Sequence, residues 1–503
     1  MLTHQAARGA SLMLAASLVG RVAALIAQVV TGLLLIDTDF GVFAIAIGIQ
    51  SIAGLLQGGD VLSYLVTLSP SRRHFRTGTV FGLCNGFYLI GVVPMLIFAP
   101  AIADYFDEPR LVILFWILAA TMMLVPIRMV LRGRLNARLA FGAIAKGAVL
   151  NNFVAYPLAI VLAIVLRDPT ALALPILFGS FAEMIYLWTQ AKPNIEDFRP
   201  RRQFVMPLLY QFRWLIAGAI MTSLFNQGDY MVAEFFVETA VLGTYFFGYQ
   251  LAVQPGRLFT TTVLNILVPV VKRLSHDKIR LAAVVRRLIS TGGFAIAAVN
   301  LSMFALIEPL EHLIWAGKWA DTIFTIQVLS IGLTYTTILG IGTSPLMAER
   351  RYRENLVCGG LRAVAVVGGA AFGAIVWGSV DAISGSVATA MTVTAAIGTG
   401  LVLHWHGIPI LSGLIHLFRS TVPLILAAIL TAIIGHQMME WLEPGRVSAA
   451  IALISAGIAY GVLSILSMAL IPADTRSEVL RLLPGQIRRF VPESLLRSPT
   501  RDS

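Results

Sequence analysis

The sequence predicts an all-α polytopic membrane protein of about 14 transmembrane helices. Three observations carry that prediction. Hydrophobic residues make up 57% of the 503 positions and charged residues only 13%, with a mean hydropathy of +0.82, a balance outside the range of soluble globular proteins. Apolar runs of about 20 residues, each long enough for a hydrocarbon core of roughly 30 Å, recur from end to end and leave no room for a sizeable aqueous domain. The charges fall in alternate connections between those runs.

In chain order the expected spans are 11–35, 41–66, 78–103, 111–131, 144–166, 171–190, 213–236, 240–271, 289–307, 322–345, 358–380, 382–403, 417–436 and 447–470. The first run is too long for a signal-peptide core and lacks a clear small-residue cleavage site, so it is read as a retained span. Even-numbered connections carry the arginine and lysine clusters: Arg72, Arg73 and Arg76, then Arg132, Arg134 and Arg138, later Arg350, Arg351 and Arg353. Odd-numbered connections are acidic, with Asp37 and Asp39, Asp104 and Glu108, Glu308 and Glu311, and Glu440 and Glu443. The positive-inside rule then places both termini in the cytoplasm. A net charge of +11 would point to nucleic acid in a soluble chain, but this placement assigns it to topology, and no nucleic-acid partner is expected.

The Pro- and Arg-rich stretch 191–212 separates residues 1–190, an N-terminal lobe of six spans, from residues 213–403, a second lobe of six. Residues 404–470 hold two additional C-terminal helices, and 471–503 form a basic cytoplasmic tail. From Asp474 that tail alternates Leu480, Leu483, Ile487 and Phe490 with Arg476, Arg481, Arg488 and Arg489, which fits either an interfacial helix or a disordered segment. The lobes share an internal echo. Asp37-Thr-Asp-Phe-Gly41-Val-Phe43 joins spans one and two, and Glu238-Thr-Ala-Val-Leu-Gly243-Thr-Tyr245 joins spans seven and eight. Each sets an acidic cluster, a glycine and then an aromatic at the same point of a helical hairpin, as parallel repeats would.

Polar residues inside the spans mark the candidate site. Gln250, Gln254, Arg257, Thr261 and Asn265 recur every three to four residues, hence on one helical face. Span one carries Ser17, Arg21, Gln28 and Thr31, span two Gln50, Gln57 and Tyr64, and span seven Thr222, Asn226 and Asp229. An arginine mid-span costs roughly 2.5–3.5 kcal/mol on insertion scales, so Arg21 and Arg257 should face a partner, water or a ligand. Their planar donor forks match phosphate oxygens; the alternative is permanent pairing with Asp229, Glu183 or Asp60. These helices open each proposed lobe and are expected to line one central cavity, with Arg21, Gln28, Gln57, Asn226, Gln250, Gln254 and Arg257 as substrate-binding candidates. Asp229 and Glu183 are ion-coupling candidates, weighed against structural salt bridges. Cys84 and Cys358 read as buried small hydrophobes, and Asn85, Asn151, Asn152 and Asn300 as interhelical glue. His404, His406 and His416 lack a completing carboxylate or thiol, so no metal site is expected. With no nucleotide-binding or nucleophile motif, neither a cofactor nor enzymatic activity is expected.

The stretches Asp39-Phe-Gly-Val-Phe-Ala-Ile-Ala46, Arg134-Leu-Asn-Ala-Arg-Leu-Ala-Phe141, Leu242-Gly-Thr-Tyr245, Val268-Pro269 before Lys272-Arg-Leu274, and Trp315-Ala-Gly-Lys-Trp319, in that order, resemble polysaccharide and O-antigen (Wzx-type) flippases of the multidrug/oligosaccharidyl-lipid/polysaccharide exporter superfamily. Two features depart from the pattern, Gly58-Gly59-Asp60 and the Gln254-Pro255 pair. The resemblance implies two six-helix lobes that alternate in access around a cationic cavity. It further implies a bacterial inner membrane protein that moves a polyprenyl-diphosphate-linked oligosaccharide from the cytoplasmic to the periplasmic leaflet. Its partners would be that substrate, membrane lipids and the polysaccharide polymerase and export machinery. The rivals are a cation-coupled multidrug exporter of the same superfamily, a membrane glycosyltransferase or polymerase, and a structural scaffold.

Overall fold

The computed structural model describes residues 19–55, 70–138, 140–257, 278–349, 351–442 and 445–482. Among them every regular element is helical. The helices are α1 (Val19–Leu34), α2 (Asp37–Ala53), α3 (Pro70–Ile97), the short α4 (Ala99–Tyr105), α5 (Arg110–Ala137), α6 (Phe141–Val165), α7 (Thr170–Ala191), α8 (Val205–Ala233) and α9 (Thr239–Ala252). There follow α10 (Ile279–Trp315), α11 (Ile323–Gly342), the short α12 (Ser344–Ala348), α13 (Tyr352–Val376), α14 (Val380–Trp405), α15 (Ile410–Trp441), α16 (Arg446–Ser467) and α17 (Ala473–Leu482). Among the described residues ten helices are long and apolar enough to cross a membrane, and the described parts of the expected spans are mainly helical; residues 11–18, 56–66 and 258–271 of those spans lie outside the described residues.

The faces of these helices are arranged for lipid. On α16, Val447, Ile451, Ile454, Ile458, Val462 and Leu466 repeat every three to four residues and stay exposed, while Ala449, Ala452, Ala456 and Tyr460 on the other face are buried. A water-soluble helix does the reverse. Here the bulky side chains meet hydrocarbon and the small ones let neighbouring backbones approach, which is where membrane helices gain their packing energy. The α13–α14 pair shows the limit: a Cβ on Gly373 would stand 2.3 Å from the Ser386 hydroxyl and 2.6 Å from the Ala382 carbonyl oxygen.

The chain divides into two compact units, residues 1–246 and 247–503. In the first, α2 lies against α3, α5 and α8, α5 against α3 and α7, and α6 against α7. Residues 191–204 are fastened to this unit and do not loop free of it. Arg134 pairs with the buried Asp197, the Arg201 amide donates to the Thr79 hydroxyl at 3.0 Å, and Phe198 stacks on Trp188 with centroids 5.6 Å apart. In the second unit α14 packs on α11 and α13, and α10 on α11, α15 and α16. α10 includes a wider π-helical turn at Leu288–Gly292, a distortion that recurs at functional positions. The first residues of the basic tail form α17, whose Val479 and Leu480 bury against Phe294, Leu301 and Leu424. Glu478 there pairs with Arg287 at 2.8 Å. This part of the tail is docked on protein, which differs from a free interfacial helix, because a turn of apolar side chains found a protein surface nearer than the lipid one; its remainder lies outside the described residues.

The sequence echo has a physical counterpart within the first unit. A Cβ on Gly41 would stand 1.9 Å from the Thr239 carbonyl oxygen, and a Cβ on Gly243 would stand 1.8 Å from that of Asp37. The N-terminal turns of α2 and α9 therefore meet backbone to backbone, each glycine receiving the other helix. Phe43 and Phe246, two and three residues beyond these glycines, meet edge to face at 5.9 Å. The acidic residue of the first hairpin fixes its entry: Asp39 accepts from the Ile36 amide at 3.2 Å and from Arg110 at 3.0 Å.

Candidate functional site

In the first unit, α1 sets Arg21 and Gln28 seven residues apart, about two turns and on the same face. Both are half-buried. The helix is seated beside them, because a Cβ on Gly20 would stand 2.1 Å from the Asn152 side-chain amide on α6. On α8, Asn226 is exposed and Asp229 fully buried. The Tyr245 hydroxyl donates to Asp229 Oδ2 at 2.7 Å, while Oδ1 has no hydrogen-bond partner. Burying a carboxylate oxygen without a donor costs of order 1–3 kcal/mol, more when charged.

Glu183 has a different environment. It accepts from Arg128 at 3.1 Å, from Arg132, and from the Asn151 side-chain amide at 3.2 Å. Two guanidinium groups and an amide saturate both oxygens, and the set ties α5, α6 and α7 together. Removing the carboxylate leaves two guanidinium groups facing each other. Glu183→Ala is expected to destabilise the protein by about 3 kcal/mol, the usual cost of breaking a buried pair from one side; a thermal melt in detergent measures this.

In the second unit, Gln250 and Gln254 are half-buried and Arg257 is exposed. α9 is interrupted at Val253 and resumes at Gln254. Pro255 accounts for the break, since it has no N–H to give the carbonyl of Leu251 and its ring crowds that turn. The polar stripe thus crosses a bend in the helix. Next to Arg257, a Cβ on Gly256 would stand 3.2 Å from the Asn300 side-chain oxygen, and neither amide atom of Asn300, itself buried, has a hydrogen-bond partner. The Trp315–Trp319 segment clamps this end of the unit: Trp319 stacks on Phe247 at 4.0 Å, Trp315 meets it edge-on at 5.5 Å, and the Trp319 amide donates to the buried Glu311 at 2.9 Å. Ala316 and Gly317 make the intervening turn with φ of 56° and 87°, where glycine is at ease and alanine strained. Gln57, Asp60, Thr261 and Asn265 lie outside the described residues.

Arg128, which pairs with Glu183, was not singled out by sequence, and neither were Glu234 and Arg362. Glu234, at the end of α8, is 3% exposed; both its oxygens lack partners, and it lies over Gly48 of α2, where a Cβ would stand 2.4 Å away. Arg362, within α13, brings its guanidinium to 3.8 Å from a Cβ built on Gly340. The signal for Arg362 was present, an arginine in an apolar run, the same signal that marked Arg257.

The chain is thus a multi-span helical protein with guanidinium, amide and carboxylate groups held inside its helices. Residues 10–324 match the family model described as polysaccharide biosynthesis protein, and the chain belongs to that family. It is 24% identical over 328 residues to the lipopolysaccharide biosynthesis protein WzxC of Escherichia coli (strain K12), a match covering 62% of this chain and 64% of that relative. The match therefore spans just under two thirds of the relative's length. Among solved structures, the fold is similar to lipid II flippase MurJ in an inward closed conformation, with a TM-score of 0.66 and 13% identity over 90% of this chain and 98% of that one. It is also similar to an inward-facing multidrug resistance MATE family transporter of the MOP superfamily, with a TM-score of 0.55 and 16% identity over 78% and 95%.

Proposed function

We propose that the protein flips a polyprenyl-diphosphate-linked oligosaccharide from the cytoplasmic to the periplasmic leaflet of a bacterial inner membrane, for surface polysaccharide biosynthesis, by alternating access. The observation that carries this reading is the set of arginines and amides placed inside apolar helices of a chain from a polysaccharide biosynthesis family. A relative named for lipopolysaccharide biosynthesis and a similar fold named for lipid II flipping support the same substrate class. Arg21 and Arg257 recognise the diphosphate. Gln28, Gln57, Asn226, Gln250 and Gln254 serve the sugars, whose hydroxyls both donate and accept as amides do. Both termini lie in the cytoplasm, and residues 1–190 and 213–403 act as the two six-helix lobes. No bond is made or broken; the ligand or an ion gradient biases a two-state equilibrium.

The test is reconstitution in liposomes with a fluorescent polyprenyl-diphosphate glycan, scored for leaflet exchange. Exchange above that of protein-free vesicles is expected. Export of cationic dyes with no glycan exchange would replace this reading with that of a multidrug exporter.

Because Glu183 is saturated by two arginines, Asp229 is the coupling carboxylate in this reading. Asp229→Asn preserves an acceptor for the Tyr245 hydroxyl and removes the charge. Exchange by this variant is expected to lose its response to an imposed proton or sodium gradient while the melting temperature stays within a few degrees. A gradient response equal to that of the unmodified protein would remove Asp229 from the mechanism.

A further inference from the structure

A groove of about 960 Å³ runs along the outer face of α13 and α14, separate from every residue assigned above. Two glycines bare its floor. Gly368 and Gly385 both line it, and a Cβ at either would meet nothing within 4 Å, so the hollow exists because these two side chains are absent. Its walls are apolar side chains, among them Val364, Phe372 and Val393. The hydroxyls in the lining are spent on their own helix: Ser386 donates to the Ala382 carbonyl, Thr389 to that of Gly385 at 2.7 Å, and Thr394 to that of Ala390 at 2.6 Å. They therefore show carbon and not polarity to whatever occupies the groove. From Asp381 to Thr394 the helix rises about 20 Å at 1.5 Å per residue, more than the roughly 15 Å of hydrocarbon in one leaflet, half of a 30 Å core.

One end is polar. Trp377, Ser379 and Asp381 stand at the turn between the two helices and line the groove mouth. Trp377 is 62% exposed, in the position where an indole marks a membrane–water boundary. Among the described residues no hydrogen bond or ion pair engages the Asp381 carboxylate, and the lining includes no lysine or arginine. An acidic mouth without a cation repels a diphosphate or an anionic phospholipid and attracts an ammonium group. We propose that this groove binds a phospholipid with a primary-amine headgroup, its acyl chain lying along Gly368 and Gly385 and its ammonium group meeting Asp381.

The experiment supplies the purified protein in detergent with equal amounts of phosphatidylethanolamine, phosphatidylglycerol and a polyprenyl phosphate, and reads bound lipid by native mass spectrometry. Phosphatidylethanolamine is expected to be retained in preference to phosphatidylglycerol. Gly385→Leu and Gly368→Leu, whose Cβ atoms meet nothing within 4 Å and whose longer side chains fill the groove, are each expected to lower retention about tenfold, equivalent to 1.4 kcal/mol. Asp381→Asn is expected to keep a bound lipid but lose the preference for the amine, and it decides the matter alone if the leucine variants fail to fold. Equal retention of phosphatidylglycerol by the unmodified protein, loss of the polyprenyl phosphate in place of phosphatidylethanolamine from the leucine variants, or unchanged phosphatidylethanolamine retention by both leucine variants would overturn the proposal. None of these readouts requires transport, so the result stands apart from the flipping assay.

Discussion

Arg257→Ala is expected to slow leaflet exchange of a polyprenyl-diphosphate glycan by about ten- to a hundredfold, and Arg21→Ala by a similar factor. A hydrogen bond to a charged group contributes about 1.5–3 kcal/mol net, which sets that range. Lysine at either position keeps the charge but loses the fork that engages two phosphate oxygens at once, so Arg257→Lys should recover part of the rate and not all of it. Because Arg257 is exposed, its truncation opens no cavity in the core. The melting temperature should hardly move while the rate collapses. A rate loss accompanied by an equal loss of stability would mean that the arginine supports the fold and does not read the substrate.

The second large effect concerns stability. Gly41 and Gly243 each admit the backbone of the other hairpin, with carbonyl oxygens 1.9 and 1.8 Å from where a Cβ would stand. Backbone cannot rotate away as a side chain can, so Gly243→Ala must push α2 and α9 apart along their first turns. Overpacking of this kind costs about 1–3 kcal/mol even where side chains can yield, and more here. Gly41→Ala and Gly243→Ala are each expected to lower the yield of monodisperse protein and the melting temperature sharply. The double variant should cost less than the two single effects together, since helices already parted by the first methyl accommodate the second. Full additivity in the melts would show that the two glycines relieve separate contacts.

Much of the fold could be read from the chain because a bilayer leaves few choices: a run of about 20 apolar residues must be a helix, since no water is there to satisfy a bare backbone. The limits of α10 were harder. Hydropathy places its start at 289, whereas the helix runs from Ile279, because Arg280, Arg286 and Arg287 hide nearly three helical turns from any average of apolar character. Pairing was harder still. Glu183 finds Arg128 and Arg132 more than 50 residues away, and nothing local in the sequence sets it apart from Asp229, which instead meets a tyrosine. Glu234 escaped notice because it sits where a span ends and an acidic hairpin begins, a place where carboxylates are ordinarily wet. Only tertiary packing over Gly48 makes it dry.

The segment between α7 and α8 carries a practical consequence. Its proline and arginine content advertises a convenient place to cut the gene in two and express the pieces side by side. Yet Arg134 reaches across to Asp197 and Thr79 holds Arg201, so a fragment ending at 190 would present an arginine stripped of its carboxylate. A downstream fragment would carry that carboxylate without the arginine it is buried against. Complementation from two plasmids should accordingly work better when the nick falls after Phe204, with the whole strap kept on the upstream piece, than when it falls at the strap's beginning.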